Sequence, residues 1–316
     1  MGSFLALLNY RTWLSDKGKV REAVIVAIEC GYRHIDCAYV YFNEDEVGEA
    51  IEDVIRRGIV KREDLFITTK LPANNMRAAD VEEAAMKSLT DLKLDYVDLY
   101  LMHMPWGVEK DASFPPAEEK RLGYSHDRVV EVWREFERLR DAGRFRSIGV
   151  SNFSKEKLGR LLEDARIKPA MNQVELHPGL QQQELVDWCK ERDIVVTGYS
   201  PLGNPTRPDL FKWEGDPEPL HHPVVKAIAE KHEATTGQVL LAWARQRGTV
   251  TIPKSVTPSR IVENFRSLRV TLSEDEMREI NALDRHRRLL RFHIFAPPGV
   301  TWWQLVDDPE PTTADA

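Results

Sequence analysis

The sequence predicts an α/β fold, a single closed (β/α)8 barrel. Short β-branched or apolar runs alternate with longer amphipathic segments about eight times over 316 residues, and no linker-like break interrupts them. Eight units in a chain of this length favour a closed ring over an open doubly wound sheet. The Gly-x-Gly-x-x-Gly turn of a Rossmann half is missing after the first strand, and so is a phosphate-loop signature. Any nucleotide must therefore bind by another device.

The elements follow in order. NYRTWL (9–14) is the weakest strand candidate. YRHIDCA (32–38), LFITTKL (65–71), YVDLYLMH (96–103), RSIGVSN (146–152), AMNQVEL (170–176), IVVTGYSPL (194–202) and TVTIPKS (249–255) are the others. The clearest helix follows the second strand, where Val47, Ala50, Ile51, Val54 and Ile55 share one face. Asn43 and Glu46 are placed to cap its start, and Gly58 to stop it. Segments 79–93, 127–143, 154–167 and 181–193 have the same helical pattern.

Composition narrows the partners. Net charge is −7, from 44 basic and 51 acidic residues with no long basic block, which argues against nucleic acid or an acidic membrane surface. Cys30, Cys37 and Cys189 are too few and too scattered for a disulfide framework or a zinc site, so a reducing, cytoplasmic setting is expected. No apolar run approaches the roughly 18 residues that span a bilayer. The opening MGSFLALLNY lacks a basic n-region, and Ala6 stands where a myristoylation signal wants Ser or Thr. The closing DDPEPTTADA has the composition of a disordered acidic tail.

In such a barrel the chemistry sits at the carboxyl ends of the strands. Those ends carry Asp36, Lys70, His103, Asn152, Gln173, His177, Tyr199 and Lys254. Singly, each has a plain structural explanation: Lys70 as a solvated terminus, His103 as a hydrogen-bonded rim residue, Tyr41 as packing at a helix entrance. Together, Asp36, Tyr41, Lys70 and His103 make chemical sense as one unit. A phenol with an ordinary pKa of about 10 is a poor acid near neutrality. A neighbouring ammonium makes it a better one, and a carboxylate holds that ammonium charged and in place. Such a group donates a proton to an oxygen gaining negative charge, which is half of a carbonyl reduction.

From about Thr12 to about Leu283 the sequence resembles the aldo-keto reductases. The resemblance is carried in series by GYRHIDCAYVYFNEDEVGEAI, DLYLMHMP, IGVSNF, NQVELHP, GYSPLG and IPKSVTPSRIVENF. It implies a (β/α)8 barrel that binds a nicotinamide cofactor, usually NADPH, in extended form. It also implies that Tyr41 is the general acid, that Lys70 and Asp36 pair to tune it, and that His103 orients the carbonyl. By the same resemblance the family's nicotinamide carboxamide contacts fall on Ser151, Asn152 and Gln173, its ring-stacking aromatic on Tyr199, and Thr12 is a further cofactor-binding position. Ser200, Leu202 and Asn204 lie in the pyrophosphate loop. Lys254, Ser255, Val256, Thr257 and Arg260 look like the family's 2′-phosphate and ribose pocket, and Glu263 and Asn264 would face the adenine. Two cations with hydroxyls suit a dianionic phosphate better than a bare ribose diol, hence NADPH over NADH.

The chain departs from the family pattern in places. The N-terminal hairpin is shortened or altered, and Tyr10 and Arg11 replace small residues ahead of Thr12 and Trp13. Trp13, Met104 and Trp302 are expected to line the substrate pocket; Pro72 and Met104 stand where one branch of the family commonly has tryptophan. Asn74 and Asn75 sit near enough to offer polar contacts. The resemblance implies that residues 284–316 form a loop over the pocket, followed by the acidic tail, within one domain expected to span 1–316. Arg285, Arg287, Arg288 and Arg291 in that loop raise the idea of a carboxylate-bearing substrate, although salt bridges to neighbours such as Glu279 are the plainer expectation. The resulting expectation is a cytoplasmic, monomeric, metal-independent enzyme that reduces aldehydes or sugar-like and uronate carbonyls with NADPH. Two alternatives stay open. One is a non-catalytic NADPH-binding barrel, crystallin-like or a regulatory subunit; the other is a metal-dependent hydrolase using His34, Asp36, His103 and His177.

Overall fold

The computed structural model describes residues 8–12 and 18–310. The chain lays down β1 (Tyr10–Arg11), α1 (Val20–Cys30), β2 (His34–Asp36), α2 (Glu44–Arg56), β3 (Phe66–Leu71), α3 (Ala78–Asp91) and β4 (Val97–Met102). A side hairpin follows, β5 (Trp106–Val108) against β6 (Arg121–Tyr124), antiparallel. The main sheet resumes through α4 (His126–Asp141), β7 (Phe145–Ser151), α5 (Lys155–Asp164), β8 (Met171–Glu175), α6 (Gln183–Lys190) and β9 (Val195–Tyr199). Helices α7 (Pro223–Lys231) and α8 (Thr236–Gln246) precede β10 (Val250–Thr251); α9 (Pro258–Arg266), α10 (Glu274–Asn281) and a short α11 (Trp302–Val306) complete the order.

Eight strands form one parallel sheet in the order β1-β2-β3-β4-β7-β8-β9-β10. Parallel bridges Leu8–Thr251 and Arg11–Lys254 bring the last strand back to the first, supported by Asn9 N donating to Thr251 O at 2.9 Å. This is the (β/α)8 arrangement that the alternation predicts, and each expected strand has its counterpart, the weak first one included. The side hairpin has no counterpart among those expectations. Among the described residues no helix is long and apolar enough to cross a membrane.

Strand periodicity assigns side chains to the two sides of the sheet. Tyr10, Ile35, Ile67, Tyr100, Ile148, Val150 and Val196 pack outward in the main core between strands and helices. Their neighbours one residue along face the barrel axis. Leu99, Leu101 and Met171 form a separate apolar cluster there, below the polar residues at the strand ends. That parity aims Arg11, Asp36, Lys70, Ser151, Gln173, Glu175 and Tyr199 into the barrel mouth.

One local expectation is corrected. Asn43 makes no side-chain cap on α2. Its amide donates to Thr12 O at 3.0 Å, and Glu46 accepts from Gly18 N at 2.7 Å and Val20 N at 3.1 Å. Glu46 thus serves the orphan N–H groups opening α1 rather than its own helix, because the ring places that helix start beside it. Gly58 does follow the end of α2, in the left-handed region at φ 71°.

Candidate active site

Asp36 closes β2 and Lys70 sits near the end of β3, the adjacent parallel strand, so both project from one wall of the mouth. Lys70 Nζ donates to Asp36 Oδ1 at 2.6 Å and to Cys37 O at 2.7 Å. Both side chains are essentially sealed from solvent, at 0% and 1% exposure. Burial of that depth is tolerable only because each charge is paired and hydrogen-bonded. The other Asp36 oxygen accepts from Gln173 Nε2 at 2.7 Å, which ties β8 to β2 across the barrel.

Tyr41 lies in a short 3-10 turn, Tyr39–Tyr41, directly after β2. That turn brings its hydroxyl within 3.4 Å of Lys70 Nζ. His103, one residue beyond β4, sets its ring edge-on to Tyr41 with centroids 6.0 Å apart. Burial, reinforced by Lys70 and Arg11, holds the His103 imidazole well below the ordinary histidine range. It is therefore neutral at pH 7, able to donate from one nitrogen and accept at the other. The four residues expected to act as one unit do lie together.

A fifth group stands among them. Arg11, inward-facing on β1, donates from Nε and Nη2 to Tyr41 Oη at 3.1 and 2.9 Å, and its Nε lies 4.0 Å from Asp36. Its guanidinium carbon stands 5.2 Å from the Tyr199 ring centroid and 5.5 Å from that of Tyr41. Sequence reasoning marked Arg11 only as the replacement of a small residue. Strand parity could have aimed it inward, but not onto the tyrosine oxygen.

The cofactor-side positions fall into two groups. Around Tyr199 the partners are mutually satisfied: Tyr199 Oη donates to Asn152 Oδ1 at 2.8 Å, Asn152 Nδ2 to His103 O at 2.9 Å, and Ser151 Oγ to Gln173 O at 2.8 Å. Thr12 N donates to Asp36 O at 3.2 Å. From Arg11 outward runs a cleft of about 710 Å³. Ser200, Leu202, Asn204, Lys254, Ser255, Val256, Thr257, Arg260, Glu263 and Asn264 all line it. His221, Lys226, Thr235 and Thr236 line it too, and no sequence signal pointed to them. Ser200 Oγ and Asn204 Nδ2 are buried there with no protein partner. Unsatisfied buried polar atoms in a cleft with lysine and arginine side chains are what a phosphate-bearing ligand would complete, so these residues fit a nicotinamide dinucleotide.

Of the residues expected in the substrate pocket, Met104 and Trp302 pack against one cluster that includes Tyr199, Trp106, Leu290 and Phe292. Trp13 lies outside the described residues. Asn74 Nδ2 is spent on the side loop, donating to Ala112 O at 3.0 Å. The C-terminal segment is pinned to the barrel by Glu175, which accepts from Leu289 N at 2.6 Å and Leu290 N at 2.9 Å and contacts His177 at 3.0 Å. Arg288 pairs with Asp308 at 2.6 Å, Arg287 with Asp216 at 3.6 Å, and Arg291 lies over the Trp213 and Trp302 rings. The expected salt bridges to acidic neighbours are thus present for Arg287 and Arg288, with Asp216 and Asp308 as partners. His34, Asp36, His103 and His177 do not converge: His34 bonds Thr68, and His177 bonds Glu175. Among the described residues no group of three or more such side chains could hold a metal ion.

Comparison with known proteins agrees with this geometry. Residues 6–285 match the model of the aldo/keto reductase family. The chain is 44% identical over 298 residues to an aldo/keto reductase of Synechocystis sp., covering 94% of this chain and 91% of that one. It is 43% identical to aldo-keto reductase family 1 member A1 of Gallus gallus, over 92% of this chain and 88% of the relative. The Bos taurus protein of the same name is also 43% identical, over 92% and 89%.

Proposed function

Since the chain belongs to the aldo/keto reductase family, whose members are oxidoreductases of carbonyls using nicotinamide cofactors, we propose that it reduces aldehydes or sugar-like carbonyls to alcohols with NADPH, using Tyr41 as the general acid. The observation that carries this reading is the buried chain from Asp36 through Lys70 to Tyr41, linked at 2.6 and 3.4 Å. Asp36 and the Cys37 carbonyl hold the ammonium against the phenol oxygen. Lys70 then stabilises negative charge on that oxygen when its proton leaves. Neutral His103 offers a ring N–H to the carbonyl oxygen and fixes its approach. Gln173 keeps the Asp36 carboxylate oriented. The nicotinamide, when bound, supplies the hydride.

The dinucleotide would be held by Ser151, Asn152, Gln173 and Tyr199 at one end and by Ser200, Leu202 and Asn204 along its middle. Lys254, Ser255, Thr257 and Arg260 would take the 2′-phosphate, and Glu263 with Asn264 the adenine. Two cationic side chains beside hydroxyls favour NADPH over NADH. Three scattered cysteines fit a reducing, cytoplasmic setting, and the reading takes the chain as a monomer.

The test is NADPH oxidation over a panel of sugars, uronates, short aldehydes and ketones. Tyr41→Phe is expected to abolish turnover without abolishing NADPH binding; retained turnover removes Tyr41 from the acid role. Equal kcat/KM for matched acidic and neutral aldehydes would remove uronates as a favoured class. A non-catalytic NADPH-binding barrel draws on one observation, that Arg11 already donates to the Tyr41 oxygen. Carbonyl-dependent oxidation of NADPH separates the two.

A further inference from the structure

We propose that Arg11 is a gate on the inner half of the cofactor site: its guanidinium holds the Tyr199 face and the Tyr41 oxygen, and the nicotinamide ring binds only by displacing it. This rests on the NADPH reading above and adds to it an order of events and a residue that controls it.

The backbone of Arg11 has little freedom. It pairs with Asp36 on β2 and bridges to Lys254 past β10, so its side chain can project only into the barrel mouth. There a planar guanidinium lies 5.2 Å from the Tyr199 ring centroid. A flat nicotinamide stacking on that ring, beside Ser151 and Asn152, would need the same space. The fork also makes two hydrogen bonds to Tyr41 Oη, at 3.1 and 2.9 Å, where a carbonyl oxygen must arrive to be protonated. Burial costs this cation, but the Tyr41 oxygen and Asp36 outweigh that cost, and the net effect is to raise its pKa. The guanidinium therefore stays charged, and its contacts are charge-assisted.

The outer half of the cleft differs. Ser200 Oγ and Asn204 Nδ2 are buried there without protein partners. The phosphate and adenine end thus offers unsatisfied groups to a ligand, whereas the ring end is covered by a side chain that must first give up its own bonds. Binding is accordingly stepwise, with the phosphates anchoring first and the ring second.

Fluorescence titration of wild type, Arg11→Ala and Arg11→Met with NADPH, and with 2′-phospho-ADP-ribose, which lacks the nicotinamide, tests this. Arg11→Met keeps the packing of the stem and loses the charge and donors. Both variants are expected to bind NADPH at least about tenfold tighter, the scale set by losing charge-assisted bonds that compete with the ligand. Their affinity for 2′-phospho-ADP-ribose should stay within about twofold of wild type, which also shows that the cleft remains folded. NADPH affinity that is unchanged or weaker, or tightening that is equal for both ligands, overturns the gate. Wild type that binds neither ligand removes the cofactor reading and the gate with it. Wild type that binds both while the variants change nothing removes only the gate.

Discussion

Lys70 shows how much of the site's energy sits in one side chain. Its ammonium is shared between Asp36 Oδ1 and Cys37 O inside the barrel, with no exposure. Removing the cation strands a buried carboxylate whose remaining side-chain partner is Gln173, apart from the more distant Arg11. Lys70→Met is therefore expected to lower unfolding stability by about 3–5 kcal/mol, the usual cost of breaking a buried ion pair, as well as abolishing turnover. Urea unfolding checks it. Lys70→Met with Asp36→Leu should recover most of the stability and none of the activity, because neither charge is then left alone.

At the scale of elements, the C-terminal segment is held to the barrel by a carboxylate on β8. Glu175 is buried and accepts two backbone N–H groups from Leu289 and Leu290, with His177 and Arg288 beside it. Although burial opposes it, His177 and Arg288 keep its pKa below the ordinary glutamate value, so the carboxylate is charged at neutral pH. Glu175→Ala would leave both N–H groups without an acceptor, at roughly 1–3 kcal/mol each. The expected outcome is local: limited proteolysis should cut near residues 285–292 faster, while the cooperative unfolding of the barrel shifts much less. Equal cleavage rates in variant and wild type would show that the segment is held by its apolar contacts instead.

For the molecule as a whole, buried histidines set a pH dependence. Burial pushes His34 down to about 4 from an ordinary 6.5, and His103 falls in the same direction. Between those values the unfolded chain takes up protons that the folded one does not, so stability is fully present above about pH 6.5 and is lost as pH falls towards 4. For His34 the full effect is about 3 kcal/mol, at roughly 1.4 kcal/mol for each pH unit. Thermal melts of wild type and His34→Gln between pH 7 and 4 should show a shallower decline for the variant. Much of this molecule could be read from its sequence. The alternation of strand-like and helix-like runs pointed to eight strands, and the strand ends collected Asp36, Lys70, Gln173 and Tyr199 at one mouth of the ring. Both patterns are local, set by spacing of two or about 3.6 residues along the chain. Contacts between segments far apart in the chain were legible only where the family motifs carried them, as with Asp36 and Lys70. Glu46 caps α1 rather than α2, and Asn43 is drawn to Thr12. Glu175 fastens residues 289 and 290, and Arg11 reaches Tyr41. Closing the ring decides those partners, because only then does the first strand meet both the second and the last; the sequence by itself determined the elements and the side chains at their ends, and the tertiary structure decided the contacts that no motif carried, such as Arg11 with Tyr41.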